Sequence, residues 1–345
     1  MKEQALHRDE SIDAVRLLAI LSIIKTHSPL TTPLWDVYGF FLTAGAGVCF
    51  FFFMAALFCK HENWAICVRA LWVFAAYIFW SVVLYLFLNP VFGALSVWLS
   101  SGEWTVSFPD AFTAPYEKIF LWDWTQVYPL VRHLWFFRLL LILTIASLFL
   151  IKLRSRWLIA LGILFWCVRY TPLVSQPGYQ EYLPFVFTEE WPSASVAAYC
   201  FGLVFNKCGG LRQFHKCCTT LFYPFVLLIV LRGAFLVYSM PESAGDILEL
   251  MLPFALCSIL HRLFQLRVCQ SFNKFTCLLA PCIFSVYILH AGVNLVVWSA
   301  SLHMPEEGLW FFKLLFPVVS FASCYVLYRG LRMVPRCSML LCFVK

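Results

Sequence analysis

The chain reads as an all-α protein, a polytopic transmembrane helical bundle of about ten helices with both termini cytoplasmic. Three observations carry this reading. Hydrophobic residues make up 62% of the sequence and charged residues only 12%, far from the usage of a soluble globular domain. Apolar runs of roughly 20 residues, the length that crosses a hydrocarbon core, recur from end to end. Basic residues gather in alternate connections between those runs.

In chain order the expected spans are 12 to 30, 37 to 59, 67 to 90, 132 to 151, 157 to 173, 193 to 206, 217 to 239, 248 to 265, 277 to 299 and 309 to 328. The first follows a polar start and carries Asp13 and Arg16 inside it. That is unlike a cleavable signal peptide, so it is expected to stay as an anchor. The span at 193 to 206 is short and the stretch from 67 to 98 is long for a single crossing.

With the amino terminus inside, Lys60, Arg69, Lys152, Arg154, Arg156, Lys207, Arg212, Lys216, Arg262, Arg267, Lys274, Arg329 and Arg332 all fall on the inner side. Glu103, Asp110, Glu117, Asp123, Glu181, Glu242, Asp246 and Glu306 fall opposite. Only the basic bias carries topological weight, and it is nearly complete. The net charge of +7 follows from that bias and is no argument for nucleic acid as a partner. The lipid bilayer is the expected partner, with both termini on its cytoplasmic side.

All 15 cysteines fall within spans, at helix ends or on the inner side, which argues against a disulfide framework on an oxidising face. Without a CxxC pair or a Cys/His ligand set, no metal is expected. No soluble domain, low-complexity tract or internal repeat interrupts the chain, so 1–345 reads as one integral-membrane domain. Its one sizeable outer segment, about 99–131, mixes Trp104, Phe108, Trp122 and Trp124 with prolines and acids. It suits either an interfacial aromatic belt or a lid over an outward cleft.

Ionisable groups inside a membrane are costly and mark polar seams. Arg16 and His27 are eleven residues apart, three turns plus about 20°, so they share a helix face about 16 Å apart. His133 opens the fourth span, with Arg132, Trp135 and Arg138 around it, and His290 sits in the outward half of the ninth. Three imidazoles thus reach similar depth. An imidazole titrates near neutrality, which suits His27 to take a proton from a hydroxyl, or simply to hydrogen-bond between helices. Arg16 and Arg69 lie where phosphates of a donor from the inner side could be held, although membrane anchoring also accounts for Arg69. Arg138, Arg169 and Arg232 could hold an anionic acceptor, pair with Glu189 or Glu190, or snorkel. Trp135 and Tyr287 read as packing groups.

The run Ile12, Asp13, Arg16, Leu17, Leu18, Ala19, Ile20 ending in Thr26-His27-Ser28, the segment His133-Leu134-Trp135-Phe136, and Ser285-Val286-Tyr287-Ile288-Leu289-His290 resemble the membrane acyltransferase type 3 family. The resemblance spans most of the chain. It implies acyl transfer, commonly of acetyl from acetyl-CoA, to hydroxyls of surface carbohydrates or lipid-linked glycans. It also implies catalytic roles for His27 and Arg16, a donor site at Arg69, and an acceptor site drawn from Arg132, His133, Trp135, Arg138 and His290. Two departures stand out. The family's Arg-x-x-Arg has Ile66 at its first position and Arg69 at its second, and Ala55-Ala56 replace a common Ser-Gly pair.

A rival reading is a transporter or exporter of a glycan or its precursor, with the buried arginines and histidines lining its path. The missing repeat weighs against it. A third is an interaction protein that has lost catalysis.

The topology is open to a direct test. Cysteines placed at Ser101, Ser243 and Ser301, in a background lacking reactive native thiols, are expected to label from the outer side, and one at Ser155 only from the inner side. Labelling of Ser155 and Ser243 from the same face would break the assigned depths.

Overall fold

The computed structural model describes residues 10–27, 44–106, 134–168, 190–224, 226–227, 230–231, 242–264 and 270–333. Among them all regular structure is helical. The helices are α1 (Glu10–Thr26), α2 (Ala44–Leu57), α3 (Asn63–Val83), α4 (Asn89–Ser101), α5 (Trp135–Leu150), α6 (Ser155–Val168), α7 (Glu190–Lys207), α8 (Leu211–Thr220), α9 (Glu242–Leu263), α10 (Gln270–Leu279), α11 (Ile283–Ser301) and α12 (Glu306–Met333). Three helical stretches among the described residues are long and apolar enough to cross a membrane: Asn63–Ser101, Lys274–Ser301 and Phe311–Met333. Shorter apolar helices accompany them at Gly45–Leu57, Trp135–Leu150, Ser155–Val168 and Met251–Leu263. About half of the span expected at 217 to 239, including all of 232 to 239, lies outside the described residues.

The third span is longer than its apolar run suggests. Helix α3 continues through a π-helical turn, Leu84–Leu88, into α4, giving 39 continuous residues, or about 58 Å of helix. The cause of the wide turn is Pro90, which has no N–H to give and clashes with a carbonyl one turn back in a regular helix. An i→i+5 turn just before it opens the ladder, and Asn89 bonds back to Leu84 O. The helix stops at Gly102, whose φ of 79° is left-handed and whose N–H caps Trp98 O at 2.8 Å. Residues 99 to 101 therefore belong to this helix.

Helix α1 is apolar on more than one side and sits inside the bundle. It packs against α2, α9, α10, α11 and α12. Its stripe Ile12, Val15 and Ala19 joins an apolar cluster with α2, α7, α8 and α9. Leu17, Ile20 and Ile24 join a second cluster built with α3, α4, α5, α11 and α12. Helix α2 divides in the same way: Phe50, Phe53 and Leu57 face the first cluster, and Val48, Phe52 and Ala56 the second. Together α1 and α2 form the shared wall of the two halves.

Polar contacts show which helix ends lie together. Asn206, near the end of α7, donates to carbonyls at the end of α2, and Lys207 donates to Leu153 O. The ends marked by Leu57, Asn63, Ser155 and Lys207 thus share one side of the bundle. At the opposite side Ser96 and Ser299 are 2.5 Å apart, pairing the far ends of α4 and α11. Ser301 beside them is buried, so Ser101, which is exposed, is the better thiol reporter for that side.

Close approach of α2 and α7 depends on Gly202. A Cβ there would stand 2.3 Å from Phe53 O and 2.8 Å from the Ala56 Cβ. Small residues at such crossings let helices associate by packing alone where lipid removes the hydrophobic drive. Gly202→Ala is expected to lower the melting temperature of the detergent-solubilised protein, by overpacking worth about 1–3 kcal/mol. Gly93→Ala, where nothing lies within 4 Å, is expected to be neutral or stabilising, because glycine is a poor helix former. Equal melting of the two variants would discount the crossing.

Candidate active site

Five helices enclose a cavity of about 460 Å³, within the range of small-molecule sites. Each helix contributes side chains at helical spacing: Ile12 and Arg16 from α1; Phe51, Met54, Ala55 and Phe58 from α2; Arg69, Trp72, Val73 and Ala76 from α3; Phe136, Phe137 and Leu140 from α5; and Ile283, Phe284 and Tyr287 from α11. On α2 and α3 the positions follow i, i+3, i+4, i+7, one face of each helix. The lining is apolar apart from the two arginines and the tyrosine. Phe58 and Trp72 are also the exposed members of the set.

Both arginines are held by a second contact. Arg16 donates from Nη1 to Asp13 Oδ1 at 3.2 Å, one turn away on α1, and Asp13 is buried. Arg69 donates from Nη1 to Ala55 O at 2.9 Å. That carbonyl belongs to the last turn of α2, where backbone acceptors lack helical partners and a cation is favoured by the helix dipole. A guanidinium carries five N–H groups, so a residue that caps α2 can also present donors to the cavity. Asp13 offsets one of the two positive charges, leaving a lining suited to an anionic group flanked by apolar surface.

Tyr287 closes the end of the cavity farther along α11. Its ring lies 5.2 Å from Phe136 and 6.2 Å from Phe137, centroid to centroid. One turn beyond it is His290, fully buried, with ring centroids 5.7 Å apart. His290 Nδ1 is 2.6 Å from Tyr287 O. A carbonyl only accepts, so Nδ1 carries the hydrogen and, in the neutral ring, Nε2 holds the lone pair.

His27 follows the last helical residue of α1 and is exposed. Its ring stands 5.2 Å from that of His290, inclined by 49°. Two imidazoles from opposite ends of the sequence thus meet at one place. Asn294, one turn past His290, donates from Nδ2 to Ile24 O at 2.9 Å. Tyr287, His290 and Asn294 form one stripe of α11, reaching from the cavity to the end of α1. Neither imidazole lines the cavity itself.

The other expected site residues fall elsewhere. Arg138 donates from Nε to the Tyr77 hydroxyl, with its guanidinium carbon 5.2 Å from the Tyr77 ring centroid, so it joins α5 to α3. Trp135 stacks on Phe52 at 6.3 Å. Arg132, His133, Arg169, Glu189 and Arg232 lie outside the described residues. Ile66, at the first position of the arginine motif, is buried in the apolar cluster and does not line the cavity. Among the described residues no group of three or more His, Cys, Asp or Glu side chains is placed to hold a metal ion.

Sequence reasoning missed two contributors. The Asp13–Arg16 pair was visible as an i, i+3 couple of opposite charge. Asn294 was visible as the next turn of the stripe that holds His290, but its partner on α1 was not.

A sequence model for a family described as an acyltransferase domain matches residues 9–329, a region that contains Arg16, His27, Arg69 and His290. No curated protein and no solved structure matches the chain. The match covers all but the extremities of a chain already built as an apolar helical bundle, and the chain belongs to the acyltransferase type 3 family of integral-membrane acyltransferases.

Proposed function

We propose that the protein transfers an acyl group, acetyl from acetyl-CoA, to a hydroxyl of a surface carbohydrate or lipid-linked glycan at the bacterial cytoplasmic membrane. The observation that carries the proposal is the single cavity holding both Arg16 and Arg69, which ends at Tyr287 one turn from the His27–His290 pair. The donor comes from the inner side. Its phosphates meet the arginines, and its apolar pantetheine arm runs between Phe51, Met54, Val73 and Phe136 toward Tyr287.

At the histidine pair the acceptor is activated. His27 takes the proton of the acceptor hydroxyl, and the oxygen attacks the thioester carbonyl carbon. The new C–O ester bond forms as the C–S bond breaks, and the proton passes from the imidazolium to the departing CoA thiolate. Buried His290, oriented by its bond to Tyr287 O, supplies a fixed polar wall beside this reaction. The exposed position of His27 suits an acceptor arriving from the outer side.

His27→Ala is expected to reduce transfer by about 10²- to 10⁴-fold while leaving insertion intact. With chemistry rate-limiting, turnover of the unmutated protein is expected to fall as pH drops through the titration range of this imidazole, because the protonated ring cannot act as a base. Full activity in a correctly inserted His27→Ala protein, or a flat profile through that range, would remove His27 from the chemistry.

Arg69→Ala is expected to raise KM for the CoA donor more than KM for the acceptor, and to lower thermal stability because Ala55 O loses its cap. Arg69→Lys is expected to recover part of each, since it keeps the charge without the planar fork. Equal effects on both substrates would exclude Arg69 from the donor site. Ile66→Arg, which would restore the family's pair, is expected to destabilise the fold, because it puts a charge at a buried apolar position away from the cavity.

A further inference from the structure

We infer that Asn294 is a positioning residue for His27, holding the end of α1 so that the two imidazoles face the same reacting group. The inference rests on the acyl-transfer reading and adds to it a residue that neither touches substrate nor lines the cavity.

Among the described residues the last backbone bond of α1 runs from His27 N to Ile23 O, at 3.2 Å. The helix ends at Thr26, and among the described residues the next carbonyl, Ile24 O, has no backbone donor. Asn294, 1% exposed, supplies that donor from α11 at 2.9 Å. The bond therefore ties α11 to the backbone three residues before His27. It lies one turn from His290 on the same face, so the helix that orients one imidazole also fixes the chain bearing the other.

Plain stabilisation accounts poorly for an amide here. Asn294 Oδ1 is buried without a hydrogen-bond partner among the described residues. Leaving a buried acceptor unmade costs about as much as one neutral hydrogen bond contributes, so the side chain gains little for stability alone. What the amide adds over an apolar residue of the same size is direction: it sets where α1 ends against α11. His27 itself follows the last helical residue, so where α1 ends sets where its ring stands, 5.2 Å from that of His290.

The test uses the full-length protein in membranes of the cells in which it naturally occurs, with acetyl-CoA as donor and release of the free CoA thiol as the readout. Asn294→Leu keeps the volume and removes the donor; Asn294→Ala removes both and guards against misfolding of the first variant. Both are expected to lower kcat by about 10- to 100-fold, the scale of a displacement of about 1 Å at a reacting centre. Donor KM is expected to stay within about twofold. Hydrogen exchange at the end of α1 is expected to quicken, with α3 and α5 unchanged. In a His27→Ala background either substitution is expected to cost little more, since the residue acts through His27.

Unchanged kcat in both variants, a matching rise in donor KM, or an equal loss with and without His27 would overturn the role. Unaltered exchange at the end of α1 would overturn the cap itself. Absence of CoA release by the unmutated chain would instead sink the acyl-transfer reading, and the exchange measurement would still report on the cap separately.

Discussion

Helix ends inside an apolar bundle set the terms for this structure. A helix that stops away from water leaves carbonyls without donors, and each such group costs several kcal/mol in a hydrocarbon setting. The last carbonyls of α2, just before the exposed residues Phe58 and Lys60, are met from two directions. Arg69 takes Ala55 O at 2.9 Å, and Asn206 takes Leu57 O at 2.7 Å and Cys59 O at 2.8 Å, with a longer contact to Ala56 O. The end of α1 is met by Asn294. Three side chains on three other helices thus secure the two helices that form the central wall.

The consequence is that fold and site share residues. Arg69 caps α2 and lines the cavity, so this part of the lining cannot shift without loosening the wall. Ile66, one turn earlier on α3, is buried among apolar neighbours, where a second arginine would have no polar partner. In this chain the arginine at the second position of the motif and Arg16, across the cavity on α1, both line the cavity. Asp13 keeps Arg16 in place while lowering the net charge of the lining.

The arrangement also separates two environments that the proposed chemistry requires. The cavity is apolar with cationic points, suited to a long flexible arm bearing phosphates. The histidine pair combines a fully buried ring with an exposed one, suited to a hydroxyl coming from solvent. Tyr287 stands between them, packed on Phe136 and Phe137 on one side and on His290 on the other.

Much of this was legible along the chain, because a membrane helix writes its depth and its faces into the spacing of its residues. Arg16 and His27 could be placed on one face three turns apart, and the long third span with its Pro90 could be located. Residue spacing within one helix is silent about which neighbour meets which face. The tertiary structure decided that His290 meets His27 and Asn294 meets Ile24 across 270 residues of sequence, that Arg16 and Arg69 open into one cavity, and that Arg138 is engaged by Tyr77. It also decided that the carbonyls at the ends of α1 and α2 take their donors from other helices. The sequence by itself determined helices and their stripes, since these follow from local periodicity. Partners were decided only in three dimensions, since helix rotation and crossing depend on small-residue contacts such as Gly202 on Phe53, which no local pattern encodes.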